Sequence, residues 1–203
     1  MTSSPAEFHW LSDEGPLDDI FCISFIRGLP PLEVLARLGV DEITIKEMTF
    51  DEFNELAVEQ WISTGGDAPD YVGAVKLGNW AILVEPLGWR VPTYPNVLNR
   101  LSEGTEVVSV SRHEYASDEF VHVINRDVIV RFDPLSPQYR TGVDPKRWEA
   151  VMARVGLGPF TSDDSMPDDP IASAFALASE ITGVSFTADV LDQPFLVAVA
   201  TTE

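Results

Sequence analysis

Glu85, Arg112, His113, His122 and Arg131 are the residues whose types could carry acid–base chemistry in this chain. A carboxylate, two imidazoles and two guanidinium groups converging across neighbouring strands would supply a proton acceptor, a donor and charge stabilisation. The same set also fits a structural ion-pair network in which Glu85 pairs with a strand arginine. His113 and His122 are nine residues apart, which matches no metal-ligand spacing. Cys22, the single cysteine, has no histidine nearby in sequence to activate it and reads as a small buried hydrophobe. Asp163-Asp164 and Asp168-Asp169 lack the glycine and glutamate positions of a calcium loop. Gly65-Gly66 is not followed by the lysine and hydroxyl residue of a phosphate loop. No metal and no cofactor is therefore expected.

A second group of residues points to recognition. Thr49-Phe50-Asp51-Glu52 is a capping-box pattern that opens a helix. Phe50, Phe53, Ala57 and Trp61 recur at helical spacing and form its inward face, while Asp51, Glu52, Glu55 and Glu59 give it an acidic side. Those four acids with Trp61 are the candidate partner-binding residues.

The elements that would position these groups follow from periodicity. Residues 20–26 form an apolar, β-branched and aromatic run of strand length ended by Gly28. Residues 72–77 and 80–85 flank Gly78-Asn79 and read as a β-hairpin. Residues 106–112, 119–124 and 127–132 read as three further strands, and residues 195–200 as a closing strand able to pair with residues 20–26. In residues 106–112 and 127–132 the alternation makes one face wholly apolar and the other mixed. Helices are expected from Pro31 to Leu38, with Leu32, Leu35 and Leu38 inward, and from Thr93 to Leu101. Others are expected from Asp144-Pro145 to Val155 and from Pro170 to Thr182. Trp89 is expected in the core beneath the hairpin, and residues 1–19 as an irregular arm. The fold class is α+β, a mostly antiparallel sheet of five to seven strands with helices packed against it. One domain over residues 1–203 is expected, residues 157–169 forming an acidic connection to a C-terminal helix and strand that pack back.

Composition narrows the function classes. The chain has 203 residues and a net charge of −20. Residues 1–70 carry 15 acids against 3 bases, residues 71–150 carry 10 against 9, and residues 151–203 carry 8 against 1. Direct binding to nucleic-acid phosphates is excluded as an expectation, because it needs a basic patch. No membrane-length apolar run and no signal pattern is present, so a cytoplasmic protein is expected.

The pattern Gly78-x-Trp80-x-x-x-x-Glu85-x-x-Gly88-Trp89 is followed by Leu98-x-x-Leu101-Ser102-x-Gly104-Thr105 and then Val108-Ser109-Val110. With the Ile23 to Gly39 block and Ile181-Thr182-Gly183-Val184, it resembles an uncharacterised domain-of-unknown-function family common in actinobacteria. That resemblance implies no activity, cofactor or site. Three function classes fit the residues. The first is a non-catalytic protein-binding module, such as an immunity- or antitoxin-like partner of a basic protein. The second is a small-molecule sensor or enzyme using the polar face of the sheet. The third is a nucleic-acid mimic, ranked last because the acids are scattered among helices and loops.

Overall fold

The first apolar run becomes strand β1 (Phe21–Arg27), buried along all but its last residue. In the computed structural model, which describes residues 3–11, 15–17, 19–66, 71–113, 118–159 and 166–200, β1 lies inside one antiparallel sheet. The other strands are β2 (Lys46–Met48), β3 (Tyr71–Leu77), β4 (Trp80–Pro86), β5 (Glu106–Arg112), β6 (Glu119–Ile124), β7 (Asp127–Phe132) and β8 (Phe195–Val199). Their order across the sheet is β2-β8-β3-β4-β1-β5-β6-β7. That makes eight strands where the sequence predicts five to seven. The unforeseen one is β2, a three-residue edge strand with no apolar alternation.

The closing strand does not pair with β1. Both edges of β1 are taken, by β4 (Cys22 opposite Glu85) and by β5 (Ser24 opposite Ser109). Strand β8 lies between β2 and β3 instead. The β3–β4 turn places Gly78 at φ 58°, the first turn position, where glycine tolerates positive φ.

Both faces of the sheet are covered. Helices α1 (Pro31–Arg37), α3 (Arg90–Thr93) and α4 (Pro95–Ser102) pack through Val34, Leu35, Val91, Val97, Leu98 and Leu101 on the face carrying Cys22, Ala81, Leu83 and Val107. Helices α2 (Phe50–Thr64), α5 (Glu149–Arg154) and α6 (Pro170–Thr182), with a 3-10 turn over Pro5–Leu11, cover the face carrying Phe21, Ile23, Ile82 and Val110. The face expected to be mixed is thus as dry as the other, and Ser24, Ser109, Ser111 and Glu85 are buried in it. No helix among the described residues is long and apolar enough to cross a membrane.

Several boundaries move for local reasons. The capping box of α2 forms as expected: the Thr49 hydroxyl accepts from Glu52 N and the Glu52 carboxylate accepts from Thr49 N. On α1 the buried residues are Val34 and Leu35, with Leu38 just beyond, while Leu32 is exposed. The helix expected from Thr93 is two short ones, because Pro95 cannot continue α3 and starts α4. Helix α5 begins only after Trp148, Asp144 and Pro145 lying in the turn before it. Helix α6 matches, with the Asp169 carboxylate accepting from Ala172 N. Part of the arm is ordered by its apolar side chains, Phe8 and Leu11 being buried and Phe8 lying 6.0 Å from Phe175 of α6.

Trp80, not Trp89, is the tryptophan of the core. It is 4% exposed, and its Nε1 donates to Thr182 O at 2.8 Å, tying β4 to the end of α6. Trp89 stands half-buried before α3, edge-on to Trp61 at 6.0 Å and to His113 at 4.7 Å. Gly73 has no room to vary: a Cβ there would lie 2.6 Å from Phe53 Cε1. Gly73→Ala is expected to cost about 1–3 kcal/mol by overpacking. Urea denaturation measures it, and Phe53→Leu in the same chain should recover part of the loss.

Candidate functional site

The five residues proposed for acid–base chemistry do not converge. Side chains alternate between the two faces along each strand. Glu85 follows Leu83 on the α1/α3/α4 face, whereas His122 lies opposite Val108 and Val130 on the α2/α5/α6 face. Arg131 shares a face with Glu85, yet β4 and β7 stand four strand spacings apart, roughly 19 Å. Arg112 lies opposite Phe21, on the face away from Glu85.

Glu85 is fully buried, and its carboxylate accepts from Arg90 N at 2.8 Å and Val91 N at 3.2 Å. These are the first amides of α3, so the charge sits where backbone donors would otherwise go unpaired. The connection is tight: Leu87 adopts φ 54°, a left-handed conformation uncommon for leucine. Across the strand pair lies Cys22, whose Sγ is 3.2 Å from Ser109 Oγ and 3.6 Å from Ser24 Oγ; Ser24 donates to Ser109 at 2.8 Å. Burial, and after it the Glu85 charge, pushes the Cys22 thiol well above its ordinary value. That thiol is unsuited to nucleophilic chemistry.

His122 is also fully buried, and its partners fix its tautomer. Trp148 Nε1, which can only donate, lies 3.0 Å from Nδ1. Nδ1 is therefore the acceptor, and Nε2 carries the proton that it donates to Glu106 Oε1 at 2.8 Å. The other oxygen of Glu106 meets Arg27 Nη1 at 2.9 Å. The hydrogen bond from His122, helped by Arg27, holds the Glu106 carboxyl below its usual range against the opposing effect of burial. This chain of four groups was not foreseen. Its signal lay in the parity of Glu106 and Val108 on β5, legible only once the β5–β6 register is known.

The remaining predicted residues lie toward the strand ends near Glu85, away from the Glu106–Arg27 pair. Arg131 Nε pairs with Glu119 at 2.8 Å and its Nη2 donates to Pro92 O at 2.9 Å. Arg112 pairs with Asp19 at 2.9 Å and donates to Leu11 O. His113 N donates to Asp118 at 2.9 Å. Burial pushes the Asp118, Glu119 and Asp133 carboxyls up, and the Asp133 charge adds to the effect on the first two. No group of three or more histidine, cysteine, aspartate or glutamate residues that could hold a metal ion occurs among the described residues. Asp163 and Asp164 lie outside them, and Asp168-Asp169 precedes α6, where Asp169 serves as its cap.

The candidate partner-binding residues fall on α2. Asp51, Glu52, Glu55 and Glu59 are all exposed. Glu52 is engaged in the capping box, and its hydrogen bonds from Thr49 hold its carboxyl down. Trp61 is half-buried, facing Trp89, and the apolar side chain that α2 offers to solvent is Ile62, 76% exposed.

The described residues define an α+β protein with an eight-stranded antiparallel sheet, helices on both faces, and Ser24, Glu85, Ser109 and His122 engaged internally. Over residues 1–203 the chain matches a family of unknown function, DUF6461, and it belongs to that family. No curated protein and no solved structure matches it.

Trp148→Phe leaves the buried Nδ1 of His122 without its donor and is expected to cost about 1–3 kcal/mol. Thermal or urea unfolding reads the loss, and nitrogen chemical shifts should report the Nε2–H tautomer in the parent. A separate pH effect follows from the raised carboxyls. Asp118, Glu119 and Asp133 bind protons more readily folded than unfolded. Stability therefore falls as pH rises from their unfolded values through their raised folded values. Asp133→Asn keeps an acceptor for Leu135 N and removes the charge. NMR titration should then find the Asp118 and Glu119 carboxyls shifted down.

Proposed function

We propose that the chain is a non-catalytic protein-binding module that meets a basic partner through the solvent face of α2. The observation that carries this reading is a division among its acids. Glu85, Glu106 and Glu119 on the sheet each hold an internal donor or cation. Asp51, Glu55 and Glu59 are exposed and have no cation partner among the described residues. Glu52, Glu55, Glu59 and Ile62 recur at helical spacing opposite buried Phe50, Phe53 and Ala57, so acids and one large apolar side chain share a stripe. A stripe of that kind supplies charge for steering and an apolar group for close contact. Glu42 and Glu47, exposed on the segment before α2, extend the acidic character, and Ile43 beside them is 92% exposed.

The role that suits this chemistry is that of an inhibitor-type partner, in the manner of an immunity or antitoxin protein, acting in the cytoplasm. The Gly78-x-Trp80 to Gly88-Trp89 pattern is the mark of the family in this reading, which takes actinobacteria as its main home. Trp80 supplies the contact to Thr182, and Glu85 the clasp on α3.

Affinity capture from the native cell, followed by binding kinetics on the retained protein, tests the proposal. Screening lengths shrink from about 30 Å at 0.01 M salt to about 8 Å at 0.15 M, so association should slow clearly over that range. Dissociation should change less. Glu55→Lys with Glu59→Lys should slow association while leaving the melting temperature close to that of the parent. Association indifferent to both salt and these reversals would sink the proposal.

A further inference from the structure

A depression of about 750 Å³ opens at the end of the sheet that carries the β3–β4 and β6–β7 turns. Its volume falls within the roughly 300–1,000 Å³ of small-molecule sites. Arg27 and Arg147 line it, together with the half-buried apolar side chains of Leu29 and Ile124. Two arginines on one concavity stand out in a chain of net charge −20.

Both guanidinium groups are held over indole rings. Arg147 lies over Trp148 at 5.7 Å from its centroid, and Arg27 over Trp80 at 6.0 Å. Both indoles are anchored in turn, Trp148 by its hydrogen bond to His122 and Trp80 by its bond to Thr182 O. The rings, and for Arg27 the Glu106 pair, bias the two cations toward the depression before any ligand arrives, which lowers the ordering cost of binding. Arg147 has no carboxylate partner among the described residues, and Arg27 spends one terminal nitrogen on Glu106. Glu106 also borders the depression, with one oxygen on His122 and the other on Arg27. Two guanidinium groups and one ionised carboxylate leave a net charge of about +1. Asn79 and Asn125 sit on the rim at the two turns, and Asn125 uses its Oδ1 on Gly104 N, which leaves its amide N–H donors for a ligand.

We propose that this depression binds a small organic monoanion, its carboxylate held by Arg147 and Arg27 and its apolar body against Leu29 and Ile124. A phosphate dianion suits the site less, because its second charge meets that of Glu106. The site lies outside α2 and uses none of its acids, so it goes beyond the protein-binding role.

Titration of the full chain with hexanoate, followed by the indole N–H signals of Trp80 and Trp148, tests it. Saturable shifts of both indoles are expected, with a Kd of about 1 mM or tighter. Hexylammonium, of the same shape and opposite charge, should leave both signals in place. Arg147→Gln removes an exposed side chain and should keep the parent melting temperature while weakening hexanoate by about tenfold or more. Absence of saturation, or equal affinity in Arg147→Gln, would overturn the site. Tighter binding of inorganic phosphate than of hexanoate would overturn the ligand class.

Discussion

A sheet covered on both faces leaves its inner strands no side that meets water, and most of this structure answers that constraint. A buried polar group without a partner costs about 1–3 kcal/mol, and a buried charge costs more. Every polar residue on an inner strand must therefore be satisfied where it stands. Ser24 and Ser109 lie opposite one another and bond to each other. Glu85 reaches past the strand end to the first amides of α3. His122 is held between an indole donor and a carboxylate acceptor. In each case the partner comes from a different element, so the polar contacts fix how helices and strands sit together as well as which atoms are content.

The same constraint separates two populations of charge. Glu85, Glu106 and Glu119, on inner strands, are engaged by neighbouring donors or cations. Acids on the solvent face of α2 lie in water instead. The chemistry this permits is asymmetric. Inside, the imidazole of His122 has both nitrogens engaged and the thiol of Cys22 is driven toward its neutral form. Outside, on the solvent face of α2, Asp51, Glu55 and Glu59 are exposed.

Much of the fold could be read from the sequence because its signals are local. The capping box at Thr49, the Gly78-Asn79 turn and the Asp169-Pro170 helix start each need only a few adjacent residues. Sheet order was not legible, because β1 and β8 are both short apolar runs and nothing in either names its neighbours. The polar set failed for a related reason. Glu85 and His122 are both strand residues with good chemistry, but parity and register decide which face each occupies, and a single bulge between His122 and Val123 shifts the β6–β7 pairing. Glu106 looked like an ordinary strand-end acid until its register placed it beside His122. Trp89 was misjudged because Pro86 and Gly88 turn the chain away before the ring can enter the core.

The position of β1 between β4 and β5 also bears on how the chain finds its shape. The hairpin β3–β4 and the run β5–β6–β7 are each assembled from near neighbours, yet neither touches the other in the sheet. Strand β1 is the seam, and it lies far upstream of both partners in sequence. Its pairings close long loops, the kind of contact that raises contact order and slows folding. Among the described strands β1 precedes both of its neighbours, so one of its edges waits for β4 to residue 86 and the other for β5 to residue 112. Until both have followed, its apolar side chains lack their full cover, and an unpaired edge of that kind is open to aggregation and to chaperones.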